Sequence, residues 1–465
     1  MTRRAGPTAA PATALALAAV LSGCTVGPNY HRPAVAVPPA YRNAAPGEPS
    51  TAASLGDQKW TAVFEDPVLD GLIRTALGQS YDVRIAASRV LQAQAQVGLA
   101  RADQFPSISG SAGFTSERVA GFGALFNLIE LQGLLSWTPD FWGQYRRATE
   151  AARANLLAAD WNRRQVLVTV VANVSMAYFQ LRELDQELAI SQQALADRQE
   201  SLRLTQTLAN GGAATLLDVR QAQQLVETAA AAIPDTQRQI LQQEDLLSTL
   251  LGENPHGIPR GRPLAEQPAP AALPVGIPSR LLERRPDIRA AEQQLIAANA
   301  EIGVARSQFF PSLPLTAVGG LASPSLAGLL RSSAPEWTIT APITQPIFTA
   351  GRLRSNLKLA EAQEQQALLT YQQTIQQAFR QVSDALAAYH GYREFRIHQE
   401  ALTAAAQDAV RLANLLYRGG ATSYLEVLTG QANYYAAQLN LARAGVNERL
   451  SLVQVYQALG GGWEP

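Results

Sequence analysis

Two stretches of this chain say nearly the same thing. Asp82-Val83-Arg84, Val97-Gly98, Ala100-Arg101 and Phe105-Pro106-Ser107 are answered, 205 positions later, by Asp287-Ile288-Arg289, Ile302-Gly303, Ala305-Arg306 and Phe310-Pro311-Ser312. Gly211-Gly212-Ala213, Thr215, Leu217-Asp218-Val219 and Gln223 are answered at an offset of 208 by Gly419-Gly420-Ala421, Ser423, Leu425-Glu426-Val427 and Gln431. Several matches in one order at a nearly constant offset define a duplicated unit of roughly 200 residues. Whatever the chain folds into must be built twice.

The formal net charge is zero, which gives no electrostatic argument for a nucleic-acid partner. The only cysteine is Cys24. Arg3 and Arg4 precede the apolar run Ala14-Leu15-Ala16-Leu17-Ala18-Ala19-Val20, too short to span a bilayer and read as a signal peptide over residues 1–23. That run ends in Leu21-Ser22-Gly23-Cys24, a lipobox pattern in which the thiol receives a diacylglycerol and, after cleavage, the new N-terminus an N-acyl chain. Each buried acyl methylene is worth about 0.8 kcal/mol, so several chains on Cys24 anchor firmly.

Residues 24–59 form a Pro- and Ala-rich tether. Repeat 1 then occupies residues 60–252 and repeat 2 residues 280–465, with a linker at 253–279. The first repeat opens with a helix from Tyr81 to about Gln104. A two-residue alternation follows, with Ile108, Gly110, Ala112 and Phe114 opposite Ser107, Ser109, Ser111 and Thr115. It predicts strands at about 107–116 and 127–138. In repeat 2 the same pattern predicts strands at about 312–321 and 337–346. Each repeat thus carries one hairpin with an apolar and a polar face. That is either a small sheet packed on a helix or a slice of a membrane barrel with lipid outside and water inside.

Gln144 to Asn210 contains neither glycine nor proline, and Arg352 to Arg418 contains only Gly391. At about 1.5 Å per residue each is a rod on the order of 100 Å long. Leu167, Val174, Leu181, Leu188, Leu195 and Leu202 recur every seven residues, as a coiled-coil seam requires. Regular charges such as Arg146, Glu150, Arg153, Asp160 and Arg163 keep these helices in water. Return helices are predicted over about 213–251, with a kink at Pro234, and over about 421–459. A return helix and an opening helix end to end match one long rod, which is the geometry of a tube wall.

A four-stranded sheet in lipid leaves two unpaired edges, and each unsatisfied backbone group there costs several kcal/mol. The sheet must close with copies of itself. Eight strands enclose a space that side chains just fill, whereas twelve leave a lumen. Polar residues such as Ser109, Ser111, Thr338 and Thr340 favour the wet version, hence a homotrimer.

These residues resemble one family, the TolC-type outer-membrane efflux proteins in their lipoprotein (OprM-like, NodT) branch. The resemblance rests on Cys24-Thr25-Val26-Gly27-Pro28-Asn29-Tyr30, Trp60 with Phe64-Glu65-Asp66-Pro67, Asp140-Phe141-Trp142-Gly143, Arg284-Arg285-Pro286-Asp287 and Tyr417-Arg418-Gly419-Gly420. It covers essentially the whole mature chain. It implies a mainly α fold with a transmembrane β-barrel portion, in which a homotrimer forms a 12-stranded barrel continued by a periplasmic α-helical barrel. It also implies a periplasmic adaptor protein and an inner-membrane pump, of RND type, as partners. The expected function is a passive outer-membrane exit duct for drugs, toxic compounds or metal ions. A type I secretion outlet and a periplasmic helical-hairpin adaptor or structural lipoprotein are the alternatives.

No catalytic constellation, phosphate loop or His-Glu-x-x-His metal motif is present in the sequence, so neither an enzyme nor a cofactor beyond the lipid on Cys24 is expected. The resemblance places a pore constriction at the turns between long and return helices. It puts Glu426 at an acidic ring position, with Thr429 where a second acid is common. It matches Tyr417 and Asp218 to positions that tie the two helical hairpins together, with Thr422 where a third partner is often arginine. The turns Gly211-Gly212 and Gly419-Gly420 are where adaptor docking is expected. A carboxylate just after a glycine turn is also favoured simply by the helix dipole, a role equally open to Glu426 and Asp218.

Overall fold

The computed structural model describes residues 25–44, 53–118, 125–267, 273–331 and 333–463. The signal segment and Cys24 lie outside the described residues. The elements are, in order, α1 (Trp60–Phe64), α2 (Pro67–Gln79), α3 (Tyr81–Ala102), β1 (Ser107–Arg118), β2 (Leu125–Trp137), α4 (Gln144–Asn210) and α5 (Leu216–Leu251). Then come α6 (Pro278–Arg284), α7 (Pro286–Ser307), β3 (Leu315–Ser323), β4 (Pro335–Thr340), α8 (Arg352–Arg418) and α9 (Tyr424–Ala458). Among the described residues no helix is long and apolar enough to cross a membrane.

Two spatial units emerge. The first holds Met1–Ala34, Arg89–Asp160 and Ala290–Gln372. Its four strands make one antiparallel sheet in the order β1-β2-β3-β4. Directly opposed residues share a face in an antiparallel ladder. One face reads Ile108, Leu135, Ala317 and Ile339 across the four strands, and one row on, Gly110, Gly133, Gly319 and Trp337. The other face reads Ser111, Gln132, Gly320 and Glu336. There Gln132 donates from Nε2 to Glu336 at 2.8 Å and to Glu130 at 3.1 Å. The alternation in the sequence thus separates an apolar from a polar sheet face, and the apolar one is exposed at Ile108, Phe114, Leu131, Trp337 and Ile339.

The strand limits differ from the sequence pattern in repeat 2. Pairing predicted over 312–321 and 337–346 is found at Leu315–Ser323 and Pro335–Thr340. Pro311 and Pro314 on one side, and Pro342 and Pro346 on the other, have no N–H to give a ladder. Beyond Thr340 only a bridge survives, in which Ser312 and Thr344 exchange N–H···O bonds at 2.9 Å. In repeat 1 no proline interrupts the pairing, and β1 runs two residues further than the pattern suggests, to Arg118.

Below the sheet this unit is packed on alanine. Ala151 and Ala154 of α4 meet Ala297 and Ala300 of α7, and Ile302 and Ala305 of α7 meet Ala360 of α8. Small side chains let these helix backbones approach closely. Residues 25–32 lie across them as a strap. Val26 donates to Trp142 O at 3.0 Å, Arg147 to Asn29 Oδ1 at 2.8 Å, and Asn299 to Pro28 O at 3.1 Å. A Cβ on Gly27, whose φ is +108°, would fall 2.5 Å from Gly303 Cα, so two glycines make this crossing possible. Thr25, next to Cys24, rests on Gly143.

The second unit holds Val35–Ser88, Trp161–Arg289 and Gln373–Pro465. Its core includes Phe64 set edge-on to Phe179 and to Tyr456, each at 5.9 Å between ring centres. The motif residues act as joints. Asp66 caps α2 through Val68 N at 2.9 Å and also accepts from Tyr178 at 3.0 Å and Gln267 at 2.7 Å. Arg285 pairs with Asp287 at 2.6 Å and donates to Ala458 O at 3.0 Å and Gln381 at 2.7 Å. α5 runs through Pro234 without stopping.

Candidate functional site: the paired turns

The two double-glycine turns are built alike. At the end of α4, Gly212 donates to Ala209 O at 3.0 Å and Ala213 to Leu208 O at 2.8 Å. At the end of α8, Gly420 donates to Tyr417 O at 3.0 Å and Ala421 to Leu416 O at 2.8 Å. This is the Schellman pattern, which needs a left-handed residue at its turn. Gly212 and Gly420 supply it with φ of +79° and +70°. Because three residues close each turn and cap, α5 begins at Leu216 and α9 at Tyr424, later than the predicted 213 and 421.

The return helices then start differently. Thr215 and Asp218 form a reciprocal capping box: Thr215 Oγ1 accepts from Asp218 N at 3.2 Å and Asp218 Oδ2 accepts from Thr215 N at 2.8 Å. The Asp218 carboxylate therefore serves as a helix-start acid. In repeat 2 the side chain of Ser423 makes no capping bond. Glu426 is exposed and uses its backbone N–H on Ser423 O at 3.3 Å, leaving its carboxylate outside the cap. Thr429, one turn further, is exposed on the same side of α9, and Thr422 is half-buried in the turn.

The tie between Tyr417 and Asp218 that the resemblance implies is not made. The Tyr417 hydroxyl is buried without a hydrogen-bond partner. Its ring instead lies tilted on Tyr424 with centres 5.1 Å apart. Burial first, then the Asp218 carboxylate and Tyr424, raise its phenol above the ordinary tyrosine range. The physical reason for the missing bond is local, because Thr215 has already engaged Asp218.

The repeats are joined around Tyr424, only 4% exposed. It packs in one apolar cluster with Ala222, Val427 and Leu428, backed by Leu202, Leu225, Ala413 and Tyr417. Along α4 and α9 the contact then turns polar. The hydroxyls of Ser201 and Tyr424 lie 2.9 Å apart, and those of Ser191 and Tyr435 also 2.9 Å. Between them Arg198, 4% exposed, sits 4.7 Å over the Tyr435 ring and donates to Leu225 O at 2.9 Å. Further along, Arg443 of α9 pairs with Glu187 at 3.0 Å. Burial, followed by repulsion from Glu187 and offset in part by Arg443, raises the Glu183 carboxyl to about 7.

This seam was not anticipated from the sequence. The leucine heptad is only half-buried at Leu188, Leu195 and Leu202, although Val174 and Leu181 are fully buried. Glu187, Ser191, Ala194, Arg198, Ser201 and Thr205 also alternate at four and three, a second heptad stripe that polar residues disguised. Among the described residues no group of three or more His, Cys, Asp or Glu could hold a metal ion.

Comparison with known proteins identifies the architecture. The family described as Outer membrane efflux protein matches residues 72–253 and 277–461, one span per repeat. The cation efflux system protein CusC of Escherichia coli is 34% identical over 451 residues, covering 96% of this chain and 98% of CusC. The solvent efflux pump outer membrane protein SrpC of Pseudomonas putida is 36% identical over 459 residues, covering 96% of each. The outer-membrane channel OprN has a solved structure that superposes with a TM-score of 0.88 at 30% identity, over 95% of this chain and 100% of OprN. The chain belongs to the outer membrane efflux protein family.

Proposed function

We propose that this chain is the outer-membrane exit duct of a tripartite efflux system, and that three copies close into one conduit. The observation that carries the reading is the sheet. Its apolar face is exposed on β1, β2 and β4 and half-buried on β3, and β1 and β4 present unpaired edges. In hydrocarbon such edges must be paired, and pairing β4 of one copy with β1 of the next does so without any further element. Three copies give twelve strands and a lumen faced by the Ser111, Gln132 and Glu336 side. The residues beside the helix turns form a constriction, with one Glu426 from each copy.

The lipid on Cys24 adds an anchor to the outer membrane, and the strap from Thr25 to Arg32 leads from it into the fold. A periplasmic adaptor docks around Gly211-Gly212 and Gly419-Gly420, and an inner-membrane pump of the RND type supplies the energy. The cargo is of the kind that the relatives' names give, a cation or a solvent-like toxic compound. Such a conduit needs no catalytic group.

Planar-bilayer recording of the full lipoprotein and Glu426→Gln tests the constriction. Three carboxylates near one axis favour cations over anions. The variant should move the reversal potential in a salt gradient toward zero, and an unshifted potential would remove Glu426 from the constriction.

A further inference from the structure

We infer that Tyr424 and Tyr435, through their hydroxyl bonds to Ser201 and Ser191, together with Arg198, position the two helical repeats against each other at the constriction. They thereby set how readily the repeats part. The inference rests on the conduit reading above and assigns its regulation to residues of the α4–α9 seam, not to the Tyr417–Asp218 pair.

The buried face of α5 is apolar at Val226, Ala229, Ile240 and Leu247, and its Ala222 joins the cluster around Tyr424 of α9. Opening a contact on such a face exposes apolar surface to water. Along α4 and α9, by contrast, the contacts beyond the Tyr424 cluster are polar: Ser201 meets the Tyr424 hydroxyl, Ser191 meets the Tyr435 hydroxyl, and Arg198 lies over the Tyr435 ring. When this seam opens, water can take over both hydroxyl bonds and the Arg198 guanidinium. Each hydrogen bond then contributes only its small net difference between protein and water partners. Beyond the apolar cluster around Tyr424, the seam is therefore specific in register and its polar stretch is cheap to separate.

Two further observations agree. A groove of 890 Å³ runs beside the seam, lined in part by Leu204, Asn414, Leu415, Arg418, Tyr434 and Gln438. α9 has room to move there. The start of α9 lacks the side-chain cap that α5 has, so its first turn is the less firmly held of the two.

The test uses the full-length lipoprotein in planar bilayers, with Tyr424→Phe, Tyr435→Phe, the double variant, and Ser201→Ala alone and combined with Tyr424→Phe. Phenylalanine keeps each ring in place and removes only the hydroxyl. Each single change should raise the ratio of high- to low-conducting states about fivefold, the equivalent of ~1 kcal/mol. The double tyrosine variant should exceed either single one. Ser201→Ala should reproduce Tyr424→Phe and add nothing to it, because both delete the same bond. Melting temperatures should remain close to wild type. Conductance distributions like wild type in every variant, or full additivity of Ser201→Ala with Tyr424→Phe, would overturn the seam assignment. If the unaltered protein forms no conducting pore at all, the conduit reading itself fails.

Discussion

Replacing Gly303 by alanine should release the N-terminal strap. The strap crosses α7 where Gly27 and Gly303 stand in for side chains, and a Cβ on Gly303 would sit 2.8 Å from Val26 O and 2.8 Å from Arg147 Cγ. The Arg147 side chain can swing aside, but Val26 O is backbone, and a Cβ essentially never comes this close to another heavy atom. Tyr30 and Arg32 reach Glu292, and ahead of them four hydrogen bonds hold the part of the strap that crosses α7: Val26 N to Trp142 O, Arg147 to Gly27 O and to Asn29, and Asn299 to Pro28 O. At a net of about 1 kcal/mol each, docking is worth on the order of 4 kcal/mol, or roughly a thousandfold in protection. Losing even a quarter of that lowers protection by about fivefold. Hydrogen–deuterium exchange of residues 25–32 in the purified protein reads this directly. The variant should exchange there at least fivefold faster while α5 and α9 stay as in wild type. Unchanged protection of residues 25–32 would show that the glycine pair does not hold the strap.

Three other outcomes follow from the structure. Because the Glu183 carboxyl is raised to about 7, the folded state holds a proton that the unfolded chain has released. Stability from this group therefore falls as pH rises from about 4.5 to 7. Glu183→Gln should flatten that fall in a melting series and raise the melting temperature at pH 8, and an unaltered pH profile would refute it. Thr215→Ala should cost about 0.5–2 kcal/mol by removing the capping box of α5, whereas Ser423→Ala at the matching place in repeat 2 should cost clearly less. Equal losses in chemical denaturation would contradict the asymmetry. Trp337→Ala strips the largest side chain from the glycine row of the apolar sheet face, and should lower the heat resistance of the detergent-solubilised assembly on electrophoresis.

How much of this was legible in the sequence depends on which physics wrote each signal. The duplication survives in the two Schellman turns because glycine adopts the left-handed conformation at Gly212 and Gly420 without the steric cost of a Cβ. The sheet faces were legible because a strand's period of two leaves no choice of side once one face meets an apolar environment. The ends of β3 and β4 were not, since alternation continued through prolines that cannot donate to a ladder. The coiled-coil seam was read from leucines, and the structure places small and polar residues at the centre of the contact below Leu181. Leucine signals burial by its chemistry, but Ser191 and Arg198 are buried, and Ser201 half-buried, against partners on a helix more than two hundred residues away. The roles of Asp218 and Glu426 were left open between cap and constriction. Geometry assigns the first to the cap and leaves the second unengaged, a distinction set by Thr215 against Ser423.

The central claim is that open sheet edges of identical chains pair into a closed wall, and disulfide trapping in the intact outer membrane tests it most directly. Cysteine at Thr338 of β4, combined in turn with cysteine at Ser107, Ser109 or Ser111 of β1, should give under oxidation a ladder that stops at three chains for at least one pairing. A product that never exceeds one chain in any pairing would contradict the account.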